Sequence, residues 1–390
     1  MPEREVNAKS LRVLVLANVI APYQKPVFDR LAKRFGEMRI LLSTPMESNR
    51  PWKLEWAGLD VRVQKTITFH RRWRHPKGFT EPLFVHMPVD TIPQLARFRA
   101  DVVISWEMGM RTIQAALYRR FSRAKLMVWA EFAESTEYGR GRLRQAVRRV
   151  LHRGVDGFLV TGESGARYLE SIGVARRKLH KIVYTTGVER FAEAVRGPAE
   201  NGERRLLYVG QLIERKGLMP FLKIAAEWAE RHPEERVSLT LAGDGPLRAP
   251  LESYSAPSNL RRVFLGNSDY ERLPEIYAKA DVFVFPTLAD TWGVVVNEAL
   301  ASGVPVLGSR YAQAVSELVR DGANGWTFRP DHQEEMAAAL ERALATDCDA
   351  LAAMQVCARQ TALRLTPDYA ADCIERGILA CVAQAGASRP

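Results

Sequence analysis

Two carboxylates, Asp290 and Glu298, lie on either side of a predicted turn from strand to helix in the segment DTWGVVVNE. With about 3.6 residues per helical turn, the second acid lies roughly two turns into the helix. Carboxylates in such positions accept hydrogen bonds from the hydroxyl groups of a sugar or a ribose. Considered alone, such a pair is more often a helix cap and a solvated helix charge.

The turn between the two acids is suited to binding an anion. The predicted loop comprises Asp290, Thr291, Trp292 and Gly293, and the helix is predicted from Val294 onward. Free amides at the N-terminus of a helix bind anions, because they point at the ligand and the helix dipole favours negative charge. A diphosphate is therefore expected to be held by the backbone of Gly293, Val294 and Val295.

A basic pair, Arg215 and Lys216, lies near the end of the loop GQLIERKG at residues 210–217, before a glycine and a new helix. Cations there would neutralise the charge that develops on a diphosphate leaving group. Adjacent cations in a loop are, by themselves, usually solvated charge. The turn AGDGP at residues 242–246 is a further candidate, because its glycines allow the backbone to approach a ligand closely, although a plain turn is the simpler interpretation.

Short apolar runs typical of buried parallel strands alternate with helical patterns along the whole chain. In the first half they lie at residues 13–17, 40–42, 102–105, 126–129 and 157–160, and in the second half at 206–209, 238–242, 263–265, 282–285 and 304–308. This alternation predicts two α/β domains, each with a parallel sheet whose ligand binds at the carboxyl ends of the strands.

A polar stretch separates the two series of strands, and helical patterns close the chain after residues 331 and 367. The predicted organisation is a first domain at 1–190, a linker at 191–204, a second domain at 205–365 and a final helix within 366–390. That last helix is long enough to reach back across the first domain.

Four motifs follow one another in the second half: VG-x4-RKG, AG-x-GP, an acid-x7-E segment, and DGANGWTF. This ordered set resembles the retaining family-4 glycosyltransferases of the GT-B fold, also called glycosyl transferases group 1, over most of residues 205–365. The resemblance implies two Rossmann-like domains facing across a cleft, with the C-terminal helix crossing back to the N-terminal domain. It also implies an acceptor-binding first domain and a nucleotide-sugar-binding second domain.

The same resemblance implies roles for individual residues. Asp290 and the amides after it would contact the donor sugar, Glu298 the nucleotide ribose, and Arg215 with Lys216 the diphosphate. The implied donor-binding set is Gly210, Gln211, Gly243, Asp244, Gly245, Thr291, Trp292, Gly293, Val294, Val295 and Glu298.

The implied reaction moves a hexosyl or related sugar from a UDP- or GDP-sugar to a hydroxyl of a glycan or lipid-linked acceptor. The anomeric configuration would be retained, and the setting would be bacterial-type synthesis of surface polysaccharide or glycolipid. By resemblance, the leaving diphosphate takes up the acceptor proton, so neither a metal nor another cofactor is expected. The alternatives are an inactive nucleotide-sugar-binding protein and a sugar-nucleotide epimerase of the same fold.

Three positions depart from the family pattern. Gln211 lies where many members have arginine, and Asp290 lies where glutamate is commoner, although members that read DTWG have aspartate there. Many members place a histidine after the strand that corresponds to residues 126–129. Glu131 occupies roughly that place, with Glu134 as a near alternative, and either acid would contact the donor sugar or the acceptor or be an ordinary surface glutamate.

The formal net charge of +11 and the isoelectric point near 9.6 favour an anionic partner. Much of the charge lies in two basic stretches, residues 69–79 and 139–154. Nucleic acid is not favoured as the partner, because no helix-turn-helix, zinc-finger or RNP-like pattern accompanies the charge.

The second basic stretch has the pattern of a helix that lies on a membrane surface, with Leu143, Val147, Val150 and Leu151 at helical spacing. The surrounding cations expected to meet anionic lipid are Arg142, Arg144, Arg148 and Arg149. The alternative is a solvated surface helix with an ordinary buried face. No apolar run is long enough to span a bilayer, and the four cysteines form no close pair, so a cytoplasmic protein, peripheral on the cytoplasmic face of the membrane, is expected.

Overall fold

The computed structural model of the chain describes residues 7–47, 56–193 and 202–384. Buried apolar runs form the strands of two parallel sheets, and amphipathic segments between them form the covering helices. The described residues divide into two compact units. The first comprises residues up to Trp73, Glu81–Thr185 and the residues from Pro367 on, and the second comprises Arg74–Thr80 and Thr186–Thr366.

The first unit is built on a seven-stranded parallel sheet in the order β3-β2-β1-β6-β7-β8-β9. Its strands are β1 (Arg12–Ala17), β2 (Glu37–Leu42), β3 (Asp60–Val63), β6 (Val102–Trp106), β7 (Lys125–Ala130), β8 (Gly157–Val160) and β9 (Leu179–Lys181). A separate two-stranded sheet, a hairpin, consists of β4 (Thr66–Arg74) and β5 (Thr80–Pro88), and its tip Arg74–Thr80 is assigned to the second unit. The helices are α1 (Lys25–Arg34), α2 (Thr91–Phe98), α3 (Met110–Arg119), α4 (Glu134–Glu137), α5 (Arg142–Leu151) and α6 (Glu163–Ser171).

The second unit is built on a six-stranded parallel sheet in the order β12-β11-β10-β13-β14-β15. Its strands are β10 (Arg204–Val209), β11 (Val237–Ala242), β12 (Leu260–Gly266), β13 (Val282–Phe285), β14 (Val306–Ser309) and β15 (Gly325–Phe328). Its helices are α7 (Val188–Ala192), α8 (Leu218–Arg231), α9 (Arg248–Ser253), α10 (Leu273–Ala278), α11 (Val294–Ala301), α12 (Gln313–Leu318), α13 (Gln333–Leu344) and α14 (Cys348–Leu363).

The last helix, α15 (Pro367–Ala383), belongs to the first unit and packs along α1. Arg34 on α1 holds it by ion pairs with Asp372 and with Glu375, the second at 2.8 Å. Buried Ile374 and Ile378 add apolar contact to the core under the sheet. The predicted α/β class with a helical C-terminal segment is thus confirmed.

The ten predicted strands all form, and the sequence prediction missed those that lie at edges or outside the main sheets. β3 and β9 are partly exposed edge strands, β15 is an edge strand whose sequence GWTF is not a continuous apolar run, and β4 of the hairpin is largely exposed and basic. Such strands lack the long buried apolar run that the prediction used. Residues 194–201 of the predicted linker lie outside the described residues.

No helix within the described residues is both long enough and apolar enough to cross a membrane.

Candidate functional site

The basic pair is presented by the loop that follows β10. After Gly210 the chain makes a short 3-10 turn at Glu214–Lys216, and Gly217 then starts α8. The turn is tied to the neighbouring loop after β13, because the carbonyl of Arg215 accepts hydrogen bonds from the amide of Leu288 at 2.8 Å and from the Thr287 hydroxyl at 3.1 Å. Two loops at the carboxyl edge of adjacent strands are thereby held together.

Both cations reach the first acid of the predicted site. Nζ of Lys216 lies 2.6 Å from Oδ2 of Asp290, and Nη1 of Arg215 lies 3.3 Å from the same oxygen. Nη1 of Arg215 also donates to the carbonyl of Ala289 at 2.8 Å, and Nζ of Lys216 lies 4.9 Å from the centre of the Phe285 ring. The structure therefore brings Asp290 together with Lys216 and Arg215, which lie 74 and 75 residues before it in the sequence.

The charge state of Asp290 follows from these contacts. Burial would raise its pKa, but the positive charges of Lys216 and Arg215 and the hydrogen bonds from Lys216 and the Trp292 amide lower it to about 2. Asp290 is therefore an ionised acceptor at neutral pH. It is neither a helix cap nor a solvated charge, since the cap position of α11 is Gly293 and no side chain caps that helix.

Gly293 gives α11 its open N-terminus. Its φ angle is +94°, and a Cβ atom at this position would lie 2.6 Å from Cε1 of Phe285. Only glycine fits such a backbone without strain or a clash. The first turn of α11 contains no acidic residue and has no side-chain cap, so no carboxylate of that turn competes with an anion for the amides of Val294 and Val295. Anion binding by these amides stays a prediction.

Buried polar side chains fix the loop that contains Thr291 and Trp292. Nε1 of Trp292 donates to Oδ1 of Asn297 at 2.8 Å, and Nε2 of Gln313 donates to the carbonyl of Thr291 at 2.5 Å. Asn297 and Gln313 are both buried. These two residues were not predicted from the sequence, because their role depends on a loop conformation that spacing alone does not reveal.

Glu298 is buried, with 2% of its surface exposed, and its neighbour Tyr277 is also buried. The Tyr277 hydroxyl lies 3.0 Å from Oε2 of Glu298 and 3.2 Å from the carbonyl of Val295. Burial raises the pKa of Glu298 to about 7, and the hydrogen bond from Tyr277 only partly opposes this effect. The second acid is therefore poised to change charge near neutral pH. Tyr277 is a third residue of this region, after Asn297 and Gln313, that was not predicted from the sequence.

The turn AGDGP touches the loop that carries the basic pair. The amide of Gly210 donates to the carbonyl of Ala242 at 2.9 Å, and the amide of Leu212 donates to the carbonyl of Asp244 at 2.9 Å. A Cβ atom on Gly243 would lie 1.9 Å from the carbonyl oxygen of Gly210, so the close approach of the two loops requires glycine there. Gly243 and Gly245, which were predicted to bind the donor, thus allow two loops of the protein to pack closely together.

Two residues of these loops have local roles in the described structure. The carboxylate of Asp244 accepts from the amide of Gly245 at 2.7 Å and pairs with Arg248 at 3.5 Å. Gln211 follows Gly210, and its carbonyl oxygen accepts from the Tyr208 hydroxyl at 2.8 Å. Neither side chain is among those that meet at Asp290.

The two candidate acids of the first unit lie after β7. Glu131 directly follows the strand and is half-buried, next to buried Phe132. Glu134 starts α4 and is exposed, and its Oε2 pairs with Arg167 of α6 at 2.6 Å and accepts from Ser164 at 3.1 Å. These bonds give Glu134 a structural role within the first unit. Glu131 directly after the strand stays the predicted acid of the first unit.

Helix α5 presents Leu143, Val147 and Val150 of the predicted apolar stripe to solvent, with Leu143 at 80% exposure, whereas Leu151 is partly buried against the core. Arg142, Arg144 and Arg149 are exposed around it. The prediction that Arg148 lies on this surface is wrong, because only 2% of its surface is exposed. Nη1 of Arg148 lies 2.5 Å from both Oε2 of Glu137 and the Tyr168 hydroxyl, so its charge is paired inside the domain.

A second apolar stripe lies on the neighbouring helix α3, which packs beside α5. Met110, Ile113 and Leu117 repeat at helical spacing and are exposed, and Phe121, just beyond the helix, is 85% exposed. Isolated exposed apolar side chains are ordinary, but a contiguous set rimmed by cations marks an interaction surface. The sequence analysis did not identify this stripe, because half-buried α/β helices commonly carry such residues on the covered face.

Solved structures with the same architecture cover nearly the whole chain. The crystal structure of Anabaena Alr3699/HepE in complex with UDP aligns over 94% of this chain and 99% of that chain, with a TM-score of 0.70 and 15% identity. The lipopolysaccharide outer core galactosyltransferase WaaB in its apo form aligns over the same shares, with a TM-score of 0.69 and 11% identity. The fold is therefore that of the GT-B glycosyltransferases, built from Rossmann-like domains.

Sequence comparison points to the same class. Residues 203–346 match the family model for glycosyl transferases group 1. The sulfoquinovosyl transferase SQD2 of Arabidopsis thaliana is 25% identical over 282 residues, which cover 67% of this chain and 53% of that protein. The chain spans about half the length, or less, of the curated relatives it matches. Residues 203–346 thus form a region of the glycosyl transferases group 1 type, as the four ordered motifs indicated.

Proposed function

We propose that this chain is a retaining glycosyltransferase that moves a sugar from a nucleoside diphosphate sugar to a hydroxyl group of a glycan or lipid-linked acceptor. One observation carries the proposal. In the second unit, Lys216 and Arg215 meet Asp290 directly beside the uncapped N-terminus of α11, and the same helix carries Glu298. This grouping of cations, helix amides and carboxylates supports the binding of a diphosphate, a sugar and a ribose of one donor.

The electrostatics suit the departure of a nucleoside diphosphate. The bond between the anomeric carbon and the phosphate oxygen breaks, and negative charge develops on the diphosphate. Lys216, Arg215 and the first amides of α11 stabilise that charge. The acceptor oxygen bonds to the anomeric carbon on the same face, and its proton passes to the departing phosphate oxygen, so the products are the glycosylated acceptor and the nucleoside diphosphate.

The donor base is proposed to be uracil or guanine. UDP is supported by structural likeness, since solved proteins of the same fold hold UDP or UDP-glucose according to their descriptions. GDP is the second candidate. Lys216 would contact the diphosphate and Asp290 the sugar, and UDP-sugars and GDP-sugars both contain these groups. Neither a metal nor another cofactor is part of the proposal.

A thermal-shift screen of UDP- and GDP-sugars tests the donor assignment, because a ligand that binds only the folded state raises its apparent stability. The expected result is a saturable shift with one class of donor that is lost in Lys216→Ala and kept in Lys223→Ala, an exposed lysine on α8. An equal shift in Lys216→Ala would contradict the assignment. Slow hydrolysis of the bound donor without acceptor separates an enzyme from an inactive binding protein, and the absence of an epimerised donor separates it from an epimerase.

The first unit is proposed to bind the acceptor and to contact an anionic membrane peripherally, on its cytoplasmic face. This part of the proposal is supported by the adjacent stripes of α3 and α5, with Phe121 and Leu143 as the most exposed apolar side chains. Arg142, Arg144 and Arg149 border the stripe of α5 and would attract anionic lipid heads. A lipid-linked acceptor is concentrated on such a surface.

Flotation with vesicles of phosphatidylglycerol and phosphatidylcholine tests the membrane contact. The wild-type chain is expected to float with mixed vesicles and not with pure phosphatidylcholine. Substitution of both Phe121→Ser and Leu143→Ser is expected to abolish flotation, whereas Val356→Ser, at an exposed valine on α14 of the second unit, serves as the matched control. Unchanged flotation of the double variant would rule out this surface.

A further inference from the structure

The first unit contains a buried cation that the donor chemistry does not use. Arg111 lies in the first turn of α3 with only 6% of its surface exposed. Its Nη1 donates to the Ser43 hydroxyl at 2.9 Å, and its Nη2 donates to the carbonyl of Trp106 at 3.3 Å. Both partners are neutral, and among residues 7–47, 56–193 and 202–384 no carboxylate forms an ion pair with Arg111.

The topology of the sheet shows where this guanidinium lies. Ser43 directly follows β2, and Trp106 is the last residue of β6. Because β1 lies between β2 and β6, the guanidinium spans the carboxyl end of β1. The chain order reverses between β1 and β6, and open α/β sheets bind their ligands in the crevice outside such a switch point.

The backbone close to Arg111 includes a strained residue, which is a common feature of ligand sites. Glu107 has a φ angle of +60°, one of two non-glycine residues in the described chain with a positive φ. Its amide donates to the carbonyl of Trp129 and its own carbonyl accepts from the Thr112 hydroxyl, so neighbouring elements hold the strained residue in place. Backbone strain of this kind concentrates at ligand clamps.

The N-terminus of α3 adds donors next to the guanidinium. The helix has ten residues, its cap residue Gly109 provides no side chain, and its first turn contains no acid. A guanidinium has about five N–H groups, so the neutral partners Ser43 and Trp106 leave donors for a ligand. Burial lowers the pKa of Arg111 to about 10, although the negative charges of Glu107 and Glu47 oppose the effect, so the group stays cationic at neutral pH.

We propose that Arg111, the Ser43 hydroxyl and the first amides of α3 form a site for a phosphate group in the first unit. A buried charge without a hydrogen-bonded counter-ion is costly, and a phosphate would supply both the charge and the acceptor oxygens. The role of this phosphate as part of the acceptor rests on the proposed function. The preferred acceptor class is therefore a phosphorylated sugar, polyol or lipid.

Calorimetric titration of inorganic phosphate into the full chain tests the site, with chloride used to hold the ionic strength constant. The titration is done in Lys216→Ala, which weakens the proposed diphosphate site of the other unit. Arg111→Met is expected to reduce phosphate affinity at least about ten-fold, whereas Arg120→Met, at an exposed arginine just after the same helix, leaves it unchanged. Equal affinities in the Arg111 and Arg120 variants would overturn the site.

Hydrogen exchange gives a readout that does not depend on the folding of the Arg111 variant. Phosphate is expected to slow amide exchange in the segment from Glu107 to Ile113, and Ser43→Ala is expected to reduce the protection. Exchange that phosphate leaves unchanged in this segment would also overturn the site. Failure of the donor assignment is a separate result, because it appears as nucleotide affinity that Lys216→Ala does not alter.

Discussion

Nζ of Lys216 lies 2.6 Å from Oδ2 of Asp290. This ion pair joins the basic loop after β10 to the loop after β13, two segments at adjacent strand ends of the second unit. It also orients the carboxylate before any ligand arrives, since the Trp292 amide donates to its other oxygen at 3.3 Å. Preorganised groups of this kind contribute more to catalysis than groups that must be oriented during the reaction.

Replacement of the Asp290 carboxylate tests whether it contacts the sugar and whether it orients Lys216. Asp290→Asn is expected to lower the rate of sugar transfer by about 10²-fold or more, because the sugar contact and the orientation of Lys216 are lost together. The comparison variant is Asp349→Asn, at an exposed aspartate on α14. The measurement is release of nucleoside diphosphate with the donor found in the thermal-shift screen, and equal rates in the two variants would contradict the role of Asp290.

The same ion pair has a consequence for stability in acid. The folded-state pKa of Asp290 is about 2, below its ordinary value of 3.8, so the folded state binds this proton less readily than the unfolded state. The stabilisation is present above about pH 4 and is lost as the pH falls toward 2, with a size of roughly 2 kcal/mol at about 1.4 kcal/mol per pKa unit. Urea unfolding between pH 5 and pH 3 should therefore show a smaller loss in Asp290→Asn than in the wild type.

The raised pKa of Glu298 works in the opposite direction. Its folded-state pKa is about 7 against an ordinary value of 4.5, so the folded state holds the proton more tightly between these pH values. The free energy of unfolding therefore falls as the pH rises from about 4.5 to 7 because of this group, and Glu298→Gln is expected to remove that fall. Urea unfolding at pH 5 and pH 8 measures the difference, and an identical pH dependence in both proteins would contradict the assignment.

The Tyr277 hydroxyl is predicted to position Glu298 for the ribose. Tyr277→Phe removes the hydroxyl that reaches both Oε2 of Glu298 and the carbonyl of Val295, at a cost of about 1–3 kcal/mol for a buried polar group left unpaired. The expected result is a KM for the donor raised by about ten-fold with a smaller change in kcat, since the ribose is remote from the reacting bond. A change in kcat alone would show that the hydroxyl acts elsewhere.

Two adjacent arginines on α5 are expected to behave differently. Arg148→Met removes the buried partner of Glu137 and leaves it only the more exposed Arg144 at 3.3 Å, which is expected to lower the free energy of unfolding by about 3 kcal/mol. Arg149→Met is expected to leave stability unchanged and to weaken flotation with anionic vesicles, because Arg149 is exposed. Chemical unfolding together with flotation distinguishes the two effects, and equal stability losses would contradict the buried pairing.

The parts of the fold that follow from local pattern were predictable. Central strands such as β1 and β13 are continuous apolar runs, and buried parallel strands need no other signal. Strands at edges, such as β9 with three residues, depend on a neighbouring strand for their conformation. Their residues show no distinct pattern of apolar and polar side chains, so these strands were not predicted from the sequence.

Residues of the candidate site also differ in whether local sequence or only the fold reveals them. Asp290, Glu298 and Lys216 could be proposed as site residues from the sequence, because they lie in ordered motifs that resemble those of a known family. Tyr277 was missed because its partner Glu298 is 21 residues away and only the fold brings them to 3.0 Å.

Arg148 was misplaced for a related reason. In sequence it is one of several arginines on an amphipathic helix, and its burial is decided by Glu137 and Tyr168 on other helices. Helical spacing reports which residues share a face, but it does not report which polar face finds a buried partner.

The most direct test of the donor site is the affinity of the preferred nucleotide sugar for Glu298→Ala, measured by calorimetric titration. Glu227→Ala, at an exposed glutamate on α8, is the matched control, and the melting temperature of each variant without ligand establishes that it is folded. The site described here predicts at least about ten-fold weaker binding in Glu298→Ala and wild-type binding in the control. Equal affinities in two folded variants would show that the donor binds elsewhere.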